Sequence, residues 1–315
     1  MLKDKLFMII FMAAAIFLTP LSVKGSTAYA GSVFPEKLNV LLTESGEVRE
    51  MTAKEYITGC IAAQIPIDYR QEALNAQAAA AATYALRLML DFGNNPDNAP
   101  ENADISDSPK LCQPFYTEEK CKELYGTDYA RYKSSLEKAA EYGLRHIITY
   151  ENQPIYAVYH SVSAGKTCSA LPVWGRDFPY LQPAESAADT GYRNFLCVNE
   201  ITAEKARLAL TAYNPDIEVP ADCAKWFTEL NANEEGYVIS VKIGANIFSG
   251  GDIWRIFGLR STAFTVSYSD GVFSFTTKGY GHGAGLSQYA SNEMAKSGSS
   301  AADILRHYYG EEVRF

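Results

Sequence analysis

A glycine-rich segment near the carboxyl end carries the first residues that could bind a ligand. Residues 279–289 have the sequence GYGHGAGLSQY, in which four glycines alternate with other residues and His282, Gln288 and Tyr289 supply polar side chains. Alternate glycines remove every second side chain, so the backbone can approach a ligand or another strand closely. Two of the glycines and the alanine also fit a loose dinucleotide-binding pattern, but that fold requires a further strand with an acidic residue about 20 residues on. Because two helices are expected to end this chain, we assign His282, Gln288 and Tyr289 to binding of a ligand other than a nucleotide.

A second segment, residues 159–167, has the sequence YHSVSAGKT and could support nucleophilic chemistry. Ser163 and Lys166 have the S-x-x-K spacing of penicillin-binding enzymes, and residues 296–298 (KSG) resemble the accompanying K-T-G motif. In those enzymes the serine opens a buried helix, whereas Gly165 would interrupt a helix here and residues 296–298 would end one. A serine-dependent enzyme therefore stays as one alternative.

His160 and Ser161 are neighbours at the end of a predicted strand. Adjacent residues of a strand point to opposite faces, so the two side chains are not expected to hydrogen-bond to each other. We therefore expect a structural or ligand-orienting histidine, with Ser161 as a further binding residue, rather than a nucleophile and its base.

The six cysteines show no pattern typical of a metal site. They are Cys60, Cys112, Cys121, Cys168, Cys197 and Cys223, and no CxxC or tight Cys/His spacing occurs. An even number of cysteines permits a disulfide framework in an oxidising compartment, but the sequence does not choose among the pairings. We expect neither a metal nor another cofactor.

The amino-terminal 30 residues have the order of an export signal. Lys3 and Lys5 precede an almost wholly apolar run at residues 6–18, and the small residues Ala28 and Ala30 of AYA at 28–30 have the spacing of a cleavage site. The alternative is an uncleaved anchor, since a membrane-spanning helix needs about 20 apolar residues and this region approaches that length. We therefore expect an extracytoplasmic protein, either secreted or anchored to the membrane by residues 1–30.

The chain is acidic, with a formal net charge of -9. It lacks the basic surface by which nucleic-acid-binding proteins neutralise phosphates. We therefore expect no nucleic acid as a partner, and recognition of the true partner by shape and hydrogen bonds. Tyrosine is frequent, with 21 residues, and its rings suit the faces of sugars although they also fill protein cores.

The elements that must position these residues begin with a hairpin and two helices. In order, we predict strands at 38–42 and 48–51, helices at 52–63, 71–90 and 117–142, a hairpin at 146–159, a helix at 202–210, strands at 237–243, 263–268 and 272–277, and helices at 287–295 and 301–309. Thr52 and Glu55 have the spacing of a capping box at the first helix, and the alanine run of the second permits close packing. Residues 91–111 are rich in Asn, Asp and Pro, which favour loops.

Strands and helices do not alternate strictly in this prediction, which favours an α+β fold over a parallel doubly wound sheet. We expect mixed sheets with packed helices, arranged as one main domain plus an inserted smaller lobe. The main domain would comprise residues 31–181, with a loop and helical insertion at 91–143, and residues 236–315. Residues 182–235, predicted irregular apart from one helix, would form the insertion or small lobe.

Three segments of the chain resemble the family of stage II sporulation protein D and the amidase enhancer of bacterial autolysins. They are residues 55–84, with AAQIP at 62–66 and EALNAQA at 72–78; residues 160–181, with VWG at 173–175 and PYL at 179–181; and residues 257–310, with FGLRSTAF at 257–264, SQY at 287–289 and ILRHYYG at 304–310. They occur in the family's order and together cover more than a third of residues 31–315.

This resemblance implies an extracytoplasmic domain that engages the glycan strands of peptidoglycan. Stage II sporulation protein D is a lytic transglycosylase, which cleaves glycans lacking stem peptides and leaves 1,6-anhydro ends during engulfment of the forespore. The amidase-enhancer branch instead modulates an autolysin. The implied partners are glycan strands and a wall amidase or other sporulation proteins, in a role in cell-wall remodelling.

The position of the family's catalytic acid departs from the pattern. A lytic transglycosylase needs one carboxyl group that protonates the glycosidic oxygen and then removes the proton of the C6 hydroxyl. The family places a Glu two residues before the proline, where this chain has Gln64. A carboxamide can hydrogen-bond a sugar but cannot donate and recover a proton, and general acid–base catalysis is worth about 10²–10⁴-fold. We therefore expect a catalytically weakened or inactive family member that binds glycans.

Two further positions favour the same conclusion, while two carboxylates could oppose it. The family's Arg before the Thr-Tyr pair is Ala82 here, and Tyr180, which the resemblance assigns to the catalytic site, is followed by Gln182 where a basic residue is expected. Asp68 and Glu72 could reach the same cleft, although Glu72 is suited to capping the second helix and Asp68 to a turn. An active lytic transglycosylase with a rearranged site therefore stays as an alternative.

We expect the substrate-binding residues to share one surface with the position of the missing acid. They are His160, Ser161, Ser163, Lys166, His282, Gln288 and Tyr289. In particular, Gln64, His160, Tyr180 and His282 should converge on one groove.

Overall fold

The computed structural model describes residues 34–315, which fold into helices and several small mixed sheets. The helices are α1 (Ala53–Gln64), α2 (Gln71–Asn94), α3 (Glu118–Tyr125), α4 (Thr127–Arg145), α5 (Leu171–Trp174), α6 (Ala203–Tyr213), α7 (Gly250–Phe257), α8 (Gln288–Lys296) and α9 (Ala301–Tyr309). The strands are β1 (Lys37–Leu42), β2 (Glu47–Thr52), β3 (Ile105–Ser106), β4 (Thr149–Tyr150), β5 (Gln153–Pro154), β6 (Tyr159–His160), β7 (Leu196–Thr202), β8 (Phe227–Ala232), β9 (Val238–Ile243), β10 (Asn246–Ser249), β11 (Phe264–Ser269), β12 (Val272–Lys278) and β13 (Leu286–Ser287). The α+β class predicted from the sequence is confirmed.

The described residues form two compact units. The first contains the described chain up to Val158 together with Ser291–Phe315, and the second contains Tyr159–Ala290. The division into a main domain and a smaller lobe at residues 182–235 stays a prediction.

The first unit is built on a hairpin and on closely packed helices. β1 and β2 pair antiparallel, and β3 lies parallel to β1 at its other edge. Thr52 and Glu55 form the predicted capping box of α1, in which each side chain accepts from the other residue's backbone N–H. The alanines of α2 are buried, and Gly143 of α4 lies against the backbone of Ala78. Small residues on both helices therefore let α2 and α4 approach closely.

Two of the predicted helices differ most from the structure. α2 continues about one turn further, because Arg87 and Asp91 pair at 2.8 Å across that turn and Phe92 is buried. The single helix predicted at 117–142 is divided into α3 and α4. Gly126 separates them with a φ of +53°, a conformation that glycine adopts readily and that a continuous helix does not allow.

The hairpin predicted at 146–159 is shorter than expected. Glu151 and Asn152 form its turn, with φ of +50° and +60°, and β4 and β5 pair over only two residues each. Residues 159–160 form the separate strand β6, which pairs in parallel with β13 of the second unit. This pairing brings His160 beside the glycine-rich segment.

The two three-stranded sheets of the second unit contain strands that the sequence pattern does not reveal. β7 pairs with β12 and β8 pairs with β9, so residues 182–235 are more regular than predicted. β10 and α7 were also not predicted. In β7 the exposed positions carry Leu196 and Val198, while the partly buried positions carry Cys197 and Asn199. This strand therefore lacks the usual alternation of buried apolar and exposed polar residues.

All six cysteines lie within the described residues, and all are free thiols. Cys60, Cys112, Cys121 and Cys168 are buried, whereas the other two are partly exposed. The disulfide framework that the even count permits is not present in residues 34–315.

No helix among residues 34–315 is long and apolar enough to cross a membrane. The export signal predicted at residues 1–30 lies outside the described residues, so secretion or anchoring stays a prediction.

Candidate functional site

Gln64 is the last residue of α1 and is almost completely buried. Its Nε2 donates to the carbonyl oxygen of Pro114 at 2.9 Å and to Gln113 Oε1 at 3.4 Å. Gln113 is also buried, and its own Nε2 donates to Ala81 O at 3.1 Å and to the Tyr56 hydroxyl at 3.4 Å. Gln64, at the position of the expected acid, therefore forms a buried amide pair with Gln113. This pair fixes residues 113–114 against α1 and α2.

The surroundings of Gln64 suit an amide better than an ionised carboxyl group. Its nitrogen faces two oxygen atoms, one from Pro114 and one from Gln113. An amide nitrogen donates to both, whereas a carboxylate can only accept. This geometry favours the prediction that Gln64 is a structural hydrogen-bond donor and not a catalytic acid.

The two carboxylates that could replace the acid have other surroundings. Glu72 Oε2 accepts from the Ala301 N–H at 2.8 Å, at the N-terminus of α9, and its other oxygen accepts from Asn75 at 3.4 Å. A carboxylate is stabilised at a helix N-terminus, so Glu72 ties α2 to α9, although we predicted that it would cap α2. Asp68 is exposed in the turn between α1 and α2. Neither arrangement favours a rearranged catalytic acid.

In the second unit, the glycine-rich segment lies directly against the segment that holds His160. Gly279 and Gly281 have φ of +75° and +112°, which glycine adopts without strain. A Cβ on Gly281 would lie 2.8 Å from His160 Cβ, and one on Gly279 would lie 2.5 Å from the Val162 carbonyl oxygen. The absence of side chains at these positions allows the two segments to pack backbone against backbone.

His160 and His282 are buried together, with ring centroids 5.6 Å apart and ring planes at 62°. His160 Nδ1 donates to Ala284 O at 3.1 Å, whereas His282 Nδ1 accepts from the Ala284 N–H at 3.2 Å. Burial lowers the pKa of His160 to about 3, with a further contribution from the charge of His282, and lowers the pKa of His282 to about 4. Both rings are therefore neutral near neutral pH.

The neutral form of His160 leaves one hydrogen-bond acceptor unused. Its Nε2 has no hydrogen-bond partner within residues 34–315. This nitrogen is therefore an unsatisfied acceptor buried inside the second unit, which a ligand hydroxyl group would reach only after the side chains that cover it move. The same part of the chain contains no group of three or more His, Cys, Asp and Glu side chains that could hold a metal ion.

A buried carboxylate that no sequence motif marks joins the segments of this site. Asp189 is fully buried in the short 3-10 turn Ala187–Gly191. Its Oδ2 accepts from the Ser163 N–H and from the Ser186 hydroxyl, and its Oδ1 accepts from the Ser287 hydroxyl, each at 2.8 Å. Burial raises the pKa of Asp189, and these hydrogen bonds oppose the increase. Asp189 therefore positions the backbone on both sides of the candidate site.

Ser163 and Lys166 have separate surroundings. Ser163 is fully buried outside any helix, and its hydroxyl accepts from the Gly165 N–H at 3.1 Å. The Lys166 ammonium lies 3.5 Å from the Glu185 carboxylate and 3.8 Å from that of Glu235. A buried serine and a lysine paired with two carboxylates do not favour the alternative of a lysine-activated serine nucleophile.

A partly exposed aromatic surface accompanies these buried residues. Tyr192 and Tyr289 have ring centroids 5.2 Å apart at 70°, and the Arg260 guanidinium lies 4.4 Å from the Tyr280 ring centroid. The Tyr289 N–H donates to Ser161 O at 3.0 Å, which places Ser161 next to this surface. Tyrosine combines an apolar face with a hydrogen-bonding hydroxyl, so this aromatic surface is suited to the faces and hydroxyl groups of a sugar.

Gln288 and Tyr180 are the remaining predicted site residues of the second unit. Gln288 is the first residue of α8 and is buried. Tyr180 is half-buried beyond α5, with its ring centroid 5.5 Å from that of Phe178. Because Gln64 belongs to the first unit, the predicted groove that it would share with these residues stays a prediction.

The sequence is similar to known proteins over most of its length. Residues 43–150 match the family model described as Stage II sporulation protein (SpoIID). Over 276 residues the chain is 31% identical to stage II sporulation protein D of Bacillus amyloliquefaciens, covering 87% of this chain and 77% of the relative. Stage II sporulation protein D of Bacillus subtilis (strain 168) is 30% identical over 276 residues, covering 87% of this chain and 78% of the relative. The amidase enhancer of Bacillus subtilis (strain 168) is 23% identical over 312 residues, covering 80% of this chain and 39% of the relative. These matches confirm the resemblance inferred from the motifs.

Proposed function

Because the chain belongs to the family of stage II sporulation protein D, we propose that it acts on the peptidoglycan cell wall by binding glycan strands with little or no ability to cleave them. The sporulation and amidase-enhancer names of its relatives support a role related to the cell wall. The finer parts of the proposal, glycan binding and weakened catalysis, rest on the aromatic surface and on Gln64.

The observation that carries the weakened catalysis is the hydrogen bond from Gln64 Nε2 to Pro114 O. Lytic cleavage requires one carboxyl group that delivers a proton to the glycosidic oxygen and then accepts the proton of the C6 hydroxyl. The Gln64 amide neither gains nor loses a proton near neutral pH, and its nitrogen already donates to two protein oxygens. Loss of acid–base assistance lowers a rate by about 10²–10⁴-fold.

Glycan binding is supported by the second unit. Tyr192, Tyr280 and Tyr289 present partly exposed rings that are suited to the faces of sugars. Both site histidines are neutral near neutral pH, since burial lowers the pKa of each. An aromatic and hydrogen-bonding surface is suited to the faces and hydroxyl groups of a sugar chain.

We place this activity outside the cytoplasm, with the protein secreted or held at the membrane by residues 1–30. There it would meet peptidoglycan directly. A protein that binds glycan strands without cleaving them efficiently would act as a scaffold or modulator for a wall amidase or for another sporulation protein.

The proposal is tested by restoring the acid. Three proteins are compared: the unchanged full-length protein and its variants Gln64→Glu and Gln153→Glu. Each is incubated with glycan strands freed of stem peptides, and 1,6-anhydro ends are detected by mass spectrometry. Gln64→Glu should form this product at a rate about 10² times that of the unchanged protein, or higher. Gln153→Glu adds the same carboxyl group to β5 of the same unit and should behave like the unchanged protein.

Binding is measured in parallel by sedimentation of the three proteins with insoluble glycan strands. All three should bind equally. Rapid product formation by the unchanged protein would show that it is an active lytic transglycosylase, and failure of all three to bind would contradict glycan recognition.

A further inference from the structure

A groove of about 420 Å³ opens on the first unit. Its walls are the end of β2, the first two turns of α1, residues 115–119 and one side of α4. Its volume falls within the range of about 300–1,000 Å³ typical of small-molecule sites. The residues that line it are different from those of the buried amide pair at Gln64, so its role must be considered separately.

Thr58 gives this groove an unsatisfied hydrogen-bonding group. The residue is only 7% exposed, and its hydroxyl has no hydrogen-bond partner in the part of the chain that the structure describes. A buried helical threonine can donate to the carbonyl oxygen four residues earlier, as Thr83 of α2 does to Ala79 at 2.7 Å. A buried hydroxyl without a partner is unfavourable. Thr58 lines the groove, and a polar ligand group that reached this covered hydroxyl would remove the penalty.

Aromatic side chains form a fixed wall of the groove. Phe115 stacks on Tyr56, with ring centroids 5.5 Å apart and planes at 17°, and the Tyr116 N–H donates to Gly59 O at 3.2 Å. A Cβ at position 59 would overlap both the Phe115 ring and the Tyr116 carbonyl oxygen. Glycine at this position therefore lets the aromatic segment rest directly on α1, and the wall exists before any ligand binds.

Most of the charged side chains that line the groove form ion pairs within the protein. Lys54 lies 2.7 Å from Glu141, and Lys133 lies 2.9 Å from Glu118. Glu55 is held in the capping box of α1. Because these charges are compensated within the protein, the groove favours a neutral ligand with hydroxyl groups and apolar faces over a strongly anionic or cationic one.

We propose that this groove is a saccharide subsite for one or two neutral sugar residues, an inference that rests on the proposed glycan-binding function. The apolar faces of a sugar ring would contact Phe115 and Tyr116. A hydroxyl or acetamido group of the sugar would pair with Thr58 Oγ1. The groove would hold a glycan independently of the aromatic surface of the second unit.

Removal of the Thr58 hydroxyl tests the subsite directly. Tetra-N-acetylchitotetraose, the neutral tetramer of N-acetylglucosamine (called chitotetraose below), is titrated into the full-length protein by calorimetry. Thr58→Val keeps the shape of the side chain and should weaken binding about two- to tenfold, the effect of one hydrogen bond. Thr265→Val, at an exposed position of β11, is the matched control and should bind like the unchanged protein. Thr58→Val should also melt at the same temperature as the unchanged protein or higher, because it removes a buried unpaired hydroxyl.

Methyl NMR of threonine-labelled full-length protein locates the bound sugar. The Thr58 methyl resonance should shift on addition of chitotetraose, both in the unchanged protein and in Tyr289→Ala, which removes a ring from the second-unit surface. If only Tyr289→Ala weakens binding and the Thr58 resonance does not move, the subsite is wrong while the proposed function survives. If the Thr58 resonance moves with chitotetraose but the protein does not sediment with glycan strands, the subsite is supported and the proposed function is wrong. A shift with a stem tetrapeptide but not with the sugar would overturn the saccharide assignment.

Discussion

Gln64 and His160 are both buried polar residues, yet their hydrogen bonding differs. The Gln64 amide nitrogen donates to two oxygen atoms, so its position is satisfied by the fold. His160 satisfies one ring nitrogen through Ala284 O and leaves the other without a partner among the described residues. A satisfied buried group contributes to stability, whereas an unsatisfied one lowers it. Gln64 is therefore accommodated fully by the fold, whereas His160 keeps one unsatisfied acceptor.

Gln64→Glu should make stability depend on pH. The new carboxyl group would face the oxygens of Pro114 and Gln113, so its protonated form would be favoured and its folded pKa raised above the unfolded value of about 4.3. The variant should approach the unchanged protein below that value, where the carboxyl donates to Pro114 O. It should lose about 2–4 kcal/mol of unfolding free energy as pH rises through the raised pKa. Urea unfolding at about pH 4 and about pH 7.5 measures the difference.

Gln153→Glu is the control for this change, because its position is partly exposed. It should show the same pH dependence as the unchanged protein. An equal destabilisation of Gln64→Glu at both pH values would mean that the new carboxyl does not face the two oxygens. A raised pKa would also suit a general acid, so this measurement bears on the catalytic test of the same variant.

His160 and His282 should make the protein sensitive to acid. Their folded pKa values, about 3 and about 4, lie below the unfolded value of about 6.5. As pH falls below about 6.5, the unfolded chain binds protons that the folded protein does not, and stability is lost. Each histidine should cost about 2 kcal/mol between about pH 6.5 and about pH 5.

His160→Gln tests the acid sensitivity, since a glutamine amide can still donate to Ala284 O. Urea unfolding between about pH 7 and about pH 5 should show that the variant loses stability less steeply than the unchanged protein. An identical slope in the two proteins would mean that His160 is protonated in the folded state as readily as in the unfolded chain.

Among the secondary-structure elements, the pair α2 and α4 depends on small residues. The sequence predicted the capping box at Thr52 and the alanine-rich helix, because both signals lie within a few residues.

The break at Gly126 and the strand β7 were missed for different reasons. A single glycine does not always end a helix, and β7 places apolar side chains on its exposed positions. Its pairing with β12 depends on residues 70 to 82 positions away, which local periodicity does not report.

Gly143→Ala should separate α2 from α4. The added Cβ would lie 2.5 Å from the backbone carbon and oxygen of Ala78, so the helices must shift. We expect a loss of about 1–3 kcal/mol in unfolding free energy, the usual effect of overpacking. Gly93→Ala is the matched control, because Gly93 lies in α2 with no atom within 4 Å of an added Cβ. It should raise stability by up to about 1 kcal/mol, and equal effects of the two substitutions would contradict close packing at Gly143.

Across the whole molecule, motifs located candidate residues but not the contacts that connect them. The segments containing Gln64, His160 and His282 were selected from local sequence and from family resemblance. Asp189 was not, because its role depends on Ser287, which lies 98 residues away. The unpaired hydroxyl of Thr58 likewise follows from burial and from the absence of a hydrogen bond in the described structure, neither of which a sequence states.

The sequence also left the pairing of the cysteines open. In the structure all six are free thiols, and their burial determines how reactive each is expected to be. Burial raises the pKa of Cys112 and Cys121 to about 12 and also raises the pKa of Cys60 and Cys168. The thiolate is the reactive form of cysteine. These four thiols should therefore react slowly with thiol reagents, because they are buried and because they stay protonated.

Native protein should react rapidly with a thiol reagent at no more than two positions, Cys197 and Cys223, which are partly exposed. Ellman's reagent should label these two first and all six after unfolding in urea. In the double variant Cys197→Ser, Cys223→Ser, the rapid phase should disappear while the melting temperature is retained. Rapid labelling of that variant would show that buried thiols are accessible. A fall in melting temperature when reductant is added to the unchanged protein would instead show that a disulfide stabilises the protein, contrary to the free thiols of this fold.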